Sequence, residues 1–148
     1  MTKVSIKSLI FGLVFILLIA AVAVLGVKLN DSVTTKTVSS FAFKVGGLDE
    51  DGVEIKSDNT IVTRDYISAE GLKIEMKSEK VRYKIAFYDR KKKLVGEVSD
   101  FYVTDYEATD LAADIVYAKV VVEALSDAEI NFLEVRKYAS MLEITVNR

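Results

Sequence analysis

The stretch Val81-Arg-Tyr-Lys-Ile-Ala-Phe-Tyr88 carries the clearest strand pattern in the sequence. Large apolar side chains stand at alternate positions, and the cationic side chains of Arg82 and Lys84 separate them. Because successive side chains of an extended chain point to opposite faces of a sheet, this alternation predicts a strand with one face in a hydrophobic core. The side chains expected on that core face are those of Val81, Tyr83, Ile85 and Phe87.

Short stretches on both sides of this strand repeat the pattern. The charged run 89–93 predicts a turn, and residues 94–98 are expected to return as its hairpin partner. One or two helical turns are expected within residues 107–114. Further strands are predicted through Phe41 and Phe43 up to Gly46-Gly47, and at 60–67 with a break near Asp65, 72–76, 101–103, 117–125, 130–138 and 142–146. About eight to ten short strands, roughly ten residues apart, predict an all-β fold, an antiparallel β-sandwich.

Residues 9–27 form one uninterrupted apolar run without a charge or a hydrogen-bonding side chain. A helix of this length reaches about 28 Å, close to the thickness of a bilayer core, so the run predicts one N-terminal transmembrane helix. Lys3 and Lys7 precede it, and positive flanks stay on the cytoplasmic side. Ala21-Val22-Ala23 is a pattern that signal peptidase could cut. The apolar run continues to Val27, which favours an uncleaved signal-anchor.

These observations predict the organisation of the whole chain. We expect a cytoplasmic tail at 1–8, a transmembrane signal-anchor helix at 9–27, a polar stalk at 28–37 and an extracytoplasmic β-sandwich domain at 38–148. The protein would then be a single-pass protein of the cell membrane with its C-terminal domain outside the cytoplasm.

The composition excludes several classes of chemistry. The sequence has no Cys and no His, so disulfides, thiolate sites, His-based triads and His-ligated zinc cannot form within the chain. Without Lys3 and Lys7, 18 basic residues stand against 22 acidic ones, a net charge of −4 for the part after the apolar run. That balance argues against a nucleic-acid partner, which normally requires a basic face.

A group of motifs resembles a known family of sandwiches. The motifs are Gly46-Gly47-Leu48, Asp51-Gly52, 61–67, 83–89, 118–122 and Glu134-Val135. Over residues 40–138 the chain resembles jelly-roll β-sandwiches of the galactose-binding-like type, which are similar to carbohydrate-binding modules and occur on bacterial surface and phage tail proteins. The resemblance implies a jelly-roll-like topology and a carbohydrate ligand.

Tyrosine faces are the predicted carriers of sugar binding, because the sequence has no Trp. Tyr66 and Tyr88 are the ligand-binding candidates, since each adjoins an aspartate, Asp65 and Asp89, that could accept a hydrogen bond from a sugar hydroxyl. The alternative is that these tyrosines cap the core, with the ring buried and the hydroxyl in water.

The acidic loop at 48–59 contains the metal candidates. Asp49, Asp51 and Asp58 offer oxygen ligands of the kind that Ca²⁺ prefers. A solvated acidic turn explains the same residues, and no other cofactor is indicated.

The predicted function is therefore that of a membrane-anchored extracytoplasmic binding or adhesion module. It is expected to be non-enzymatic, because no carboxylate spacing marks an acid and a nucleophile and no nucleophile-elbow motif occurs. The expected partners are the lipid bilayer and a cell-envelope glycan. The alternative function is that of a structural accessory subunit, which would use the sandwich to dock an envelope protein.

Overall fold

A computed structural model describes residues 41–126 and 129–147 of the chain. The predicted tail at 1–8, the signal-anchor at 9–27 and the stalk at 28–37 lie outside these residues. Within the described ranges, no helix has both the length and the apolar character needed to cross a bilayer.

The larger sheet is built around two long antiparallel strands. Strand β7 (Val81–Tyr88) pairs with β9 (Tyr117–Ala124) along its whole length. The opposite edge of β9 pairs with β4 (Thr60–Thr63) and then with β5 (Ile67–Ser68), which follow one another along it. Strand β1 (Phe43–Val45) pairs with β4 and ends this side of the sheet.

The second sheet has three antiparallel strands. Strand β6 (Lys73–Met76) lies in the centre, between β10 (Leu142–Thr145) and β8 (Tyr106–Glu107). The described residues are mostly β, in antiparallel sheets, as expected for an all-β sandwich.

Two smaller elements complete the described chain. A two-stranded ribbon forms between β2 (Gly47–Leu48) and β3 (Glu54–Ile55). Helix α1 (Val135–Ala139) is a little more than one turn long and precedes β10.

The alternation of β7 is confirmed, and both of its faces are covered. Val81, Tyr83 and Ile85 are buried in the main core, which the two sheets share, whereas Phe87 is half-buried at its margin. On the opposite face, Tyr88 is buried in a second cluster. The other buried members of that cluster are Leu48, Val62, Ala86 and Val121.

Several predicted elements match the structure closely. The strands expected at 72–76, 117–125 and 142–146 are confirmed, and the break near Asp65 separates β4 from β5. The expected hairpin partner at 94–98 is reduced to one bridge, between Tyr88 and Leu94. Gly96 has a φ of 74°, outside the range of a strand, which explains why regular pairing does not continue.

The prediction of a strand at 130–138 is wrong, because this part of the chain contains α1 instead. The side chain of Asn131 accepts a hydrogen bond from the Leu133 backbone N–H, 2.9 Å away, and this local turn leads into the helix. Val135, Tyr138 and Ala139 then follow the three- and four-residue spacing of a helix face that packs on the core. The helical turns expected at 107–114 are also absent from the described residues, where Tyr106 and Glu107 form β8.

Candidate functional site

The structure brings together the two tyrosines that the sequence singles out. The rings of Tyr66 and Tyr88 are perpendicular, with centroids 4.9 Å apart. Tyr117 lies 6.1 Å from Tyr66 and extends the group. Edge-to-face contacts of this kind stabilise an aromatic cluster beyond the area that it buries.

Tyr88 is a core residue, which corrects the expectation that its ring faces a ligand. Its exposed fraction is 2%, and its hydroxyl donates a 2.7 Å hydrogen bond to the Gly52 carbonyl. Burial raises the pKa of the Tyr88 hydroxyl, and nearby Tyr66 and Glu54 add to this shift. Gly52 permits this close approach, because a Cβ at position 52 would lie 2.9 Å from the hydroxyl oxygen of Tyr88. The φ of Gly52 is also +72°, a backbone conformation that favours glycine.

Tyr66 is half-buried, and ammonium groups already lie over its ring. The Nζ atom of Lys119 is 4.8 Å from the ring centroid, and the Nζ atom of Lys92 is 5.0 Å from it. Both contacts are cation–π interactions. A sugar that stacks on Tyr66 would therefore have to compete with these two lysines.

The two aspartates next to the tyrosines differ in role. Oδ1 of Asp89 accepts hydrogen bonds from the backbone N–H groups of Lys91 and Lys93, at 2.8 and 2.9 Å, and so holds its own turn. Asp65 is exposed, and its carboxylate has no hydrogen-bond or ion-pair partner among the described residues.

Lys119 is a buried cation that the sequence reasoning did not identify. It is 2% exposed, and its Nζ atom lies 2.5 Å from a carboxylate oxygen of Glu54 and 3.2 and 3.3 Å from the carbonyls of Thr63 and Arg64. Glu54 also pairs with Lys44. The signal in the sequence was a lysine placed directly before the three consecutive valines of β9.

The carboxyl group of Glu54 is held in its charged form by these contacts. Partial burial disfavours the charge, but the hydrogen bonds and ion pairs with Lys119 and Lys44 outweigh it, so the pKa of Glu54 lies below its ordinary value. The cluster ties β3, β9 and the end of β4 together and leaves the amine of Lys119 fully engaged.

The calcium candidates are not assembled into a site. Oδ1 of Asp49 accepts hydrogen bonds from the backbone N–H groups of Asp51 and Val53, at 3.0 and 2.8 Å. In the described part of the chain, no three acidic side chains are grouped so that they could hold a metal ion, and Asp58 joins no such group. Asp49 instead stabilises the turn between β2 and β3.

A groove of about 500 Å³ runs along β1, and we call it the β1 groove. Its lining combines apolar side chains with three cationic ones. The lining residues are Phe41, Ala42, Phe43, Lys44, Val45, Arg64, Phe132, Val135, Arg136 and Ala139.

The β1 groove carries exposed apolar surface together with positive charge that has no ion pair within the described part of the chain. Phe132 is 77% exposed, and Leu133 beside it in the loop before α1 is 74% exposed. Among the described residues, the ion pairs include Lys44 but neither Arg64 nor Arg136. Exposed large apolar residues next to available arginines are typical of interaction surfaces.

Comparison with known proteins identifies no relative of this chain. No protein-family model matches the chain, and neither the curated proteins nor the solved structures contain a match.

Proposed function

We propose that this chain is a membrane-anchored, extracytoplasmic docking module that binds a segment of an envelope protein in the β1 groove. This is the accessory-subunit function, and it takes precedence over glycan binding. The observation that carries the proposal is the combination in one groove of exposed Phe132, the open side of β1 and two arginines without an ion pair among the described residues.

The properties of the groove favour a protein over a sugar. Interfaces between proteins are enriched in aromatic and arginine side chains, and both types line the β1 groove. The aromatic cluster expected to bind a glycan supports that function less well. Tyr88 is buried, and Lys92 and Lys119 lie over the ring of Tyr66.

The remaining parts of the proposal come from the sequence. The apolar run at 9–27 would hold the domain at the membrane, and the stalk at 28–37 is short enough to keep it near the bilayer. A jelly-roll-like connection of the strands is proposed from the motif resemblance. A non-enzymatic role is proposed because the residues available for catalysis include no His and no Cys.

Site-specific photocrosslinking in native membranes tests the docking function. A photoreactive amino acid at Ala42, which is exposed in the groove, should crosslink to one protein. The matched control is Val103, which is 66% exposed and lies outside the groove lining, and it should not give this product. The captured protein, once purified, should bind the full chain and lose binding to the Arg64→Glu/Arg136→Glu variant.

Glycan binding supplies the contrasting outcome. If Ala42 and Val103 give the same products and envelope glycans shift the tyrosine fluorescence of the full chain, the docking function is wrong. A response that Tyr66→Ala abolishes would then assign the ligand to the aromatic cluster.

A further inference from the structure

We propose that the β1 groove takes an extended, acidic peptide segment, which adds to the larger sheet as an extra strand beside β1. This inference rests on the proposed docking function and specifies its partner. Strand addition to an open sheet edge is an established mode of peptide recognition, in which backbone hydrogen bonds supply affinity and side-chain contacts supply specificity.

The backbone of β1 has one open side. Arg64 N–H donates to the Ala42 carbonyl at 2.8 Å, and Gly46 N–H donates to the Thr60 carbonyl at 3.0 Å. Because hydrogen-bonded pairs alternate along antiparallel strands, Ala42, Lys44 and Gly46 direct their backbone groups to β4. The N–H and C=O groups of Phe43 and Val45 therefore point away from β4, and no described strand pairs with that side of β1.

The groove follows this open side. Five consecutive residues, Phe41 to Val45, line it. Alternate side chains of a strand point to opposite faces of the sheet, and a groove lined by all five residues is consistent with a position along the edge that the two faces share. The groove thus gives a peptide access to the free backbone groups of Phe43 and Val45.

The side chains around the edge specify the chemistry of the peptide. Arg64 lines the groove from the position directly after β4, and Arg136 lines it from α1. Arginine pairs with carboxylates through two parallel hydrogen bonds, so acidic residues are the matching side chains on a peptide. Phe132 and Val135 provide apolar contacts for the peptide residues that lie between the acidic ones.

The same charges argue against a second copy of this chain as the occupant. Two copies joined at their β1 edges would place two positively charged grooves against each other, and such a contact between like charges is unfavourable. A basic or neutral peptide would leave Arg64 and Arg136 without partners while covering them. An acidic strand from another protein avoids the repulsion between two copies and also supplies partners for Arg64 and Arg136.

Peptide binding to the full chain in detergent micelles is the test. The probe is acetyl-Glu-Val-Glu-Thr-Glu-Val-Glu-Thr-amide with a fluorescent label, measured by polarisation. The Glu→Lys version of this peptide should bind at least about tenfold more weakly, since it removes the charge match. Charge reversal of the protein, Arg64→Glu/Arg136→Glu, should lower its affinity for the acidic peptide to a similar extent.

Two N-methylated peptides test for strand addition itself. One carries methyl groups on the amides of its odd residues, and the other on those of its even residues. Only one set of amides can face β1, so one peptide should lose at least about tenfold in affinity and the other should bind within about threefold of the parent. Val45→Pro removes one outward N–H without touching the bonds to β4, and it should also weaken binding while the circular dichroism stays unchanged.

Each outcome decides the inference. Equal binding of both methylated peptides rules out an added strand, and equal binding of the Glu and Lys peptides rules out the acidic partner. If no peptide binds at millimolar concentration while Ala42 still crosslinks to a protein, the acidic-strand inference is wrong and the docking function stands. If the crosslink is also absent, both are wrong.

Discussion

Lys119 is the residue whose position departs most from its usual preference, because lysine is almost never fully buried unless it is paired. Its amine is satisfied by Glu54 and by the carbonyls of Thr63 and Arg64. Glu54 is exposed, so only the Lys119 end of this ion pair is buried, and removal of the partners of a buried amine is costly. The cluster therefore joins β3, β9 and the residues at the end of β4 through one charged group.

Lys119→Met should lower the free energy of unfolding by about 1–3 kcal/mol, because it leaves two carbonyls without their donor. Urea denaturation of the full chain in micelles measures this loss. Lys80→Met is the matched control, since Lys80 is exposed and its side chain has no ion pair among the described residues. Equal stability of the two variants would show that the cluster around Lys119 does not form.

Glu54 should make part of the stability depend on pH. Its folded pKa lies below the ordinary value of 4.5, so its contribution is present above pH 4.5 and is lost as the pH falls through the folded pKa. Wild type should be more stable than Glu54→Gln at pH 7, and the difference should shrink below pH 4.5. Thermal melts of both proteins between pH 7 and pH 3 measure it. A difference that grows on acidification would contradict this reading.

At the scale of elements, the pairing of β7 with β9 is the framework on which the other strands assemble. The eight residues of β7 pair with the eight of β9 without an interruption. Three consecutive valines in the middle of β9 suit a buried, pleated surface. Strands β4 and β1 then extend the sheet outward and leave the edge of β1 beside the groove.

Two substitutions in β7 distinguish its centre from its margin. Ile85→Ala should cost about 2–5 kcal/mol, because Ile85 is 1% exposed and its truncation leaves a cavity. Phe87→Ala should cost less than the 3–5 kcal/mol typical of buried phenylalanine, since Phe87 is half-buried. Denaturant unfolding ranks the two variants. A larger loss of unfolding free energy for Phe87→Ala than for Ile85→Ala would contradict the central position of Ile85 in the core.

At the scale of the whole molecule, the proposed docking function depends on the predicted attachment of the domain to a membrane. The apolar run at 9–27 predicts an integral membrane protein, and the short stalk at 28–37 predicts a domain close to the bilayer. A docking module in this position would act on partners at the same membrane.

Membrane topology can be measured directly on the full chain. We expect it to stay in carbonate-washed membranes, because an apolar helix of this length is not released by alkali. Protease added to cells stripped of any wall or outer membrane should remove the C-terminal domain. A soluble chain that begins at Val24 would instead identify a cleaved, secreted protein.

The sequence by itself determined the mainly antiparallel β character and the longest strands, because alternation of side chains is a local property of an extended chain. The strand predicted at 101–103 is reduced to one bridge, between Tyr83 and Tyr102. The sequence placed β6, β7, β9 and β10 and gave the correct inward face of β7. It failed at α1, where a short apolar stretch fits the period of a strand or of a helix almost equally well.

Only the tertiary structure decided which residues are available to a ligand. From the sequence, Tyr88 is expected to present a free aromatic face. In the structure, the segment between β2 and β3 covers Tyr88, and its hydroxyl donates a hydrogen bond to the Gly52 carbonyl. The β1 groove joins residues near positions 42, 64 and 136, which are far apart along the chain. Exposure and charge pairing depend on such distant contacts, and no periodicity within a single strand contains them.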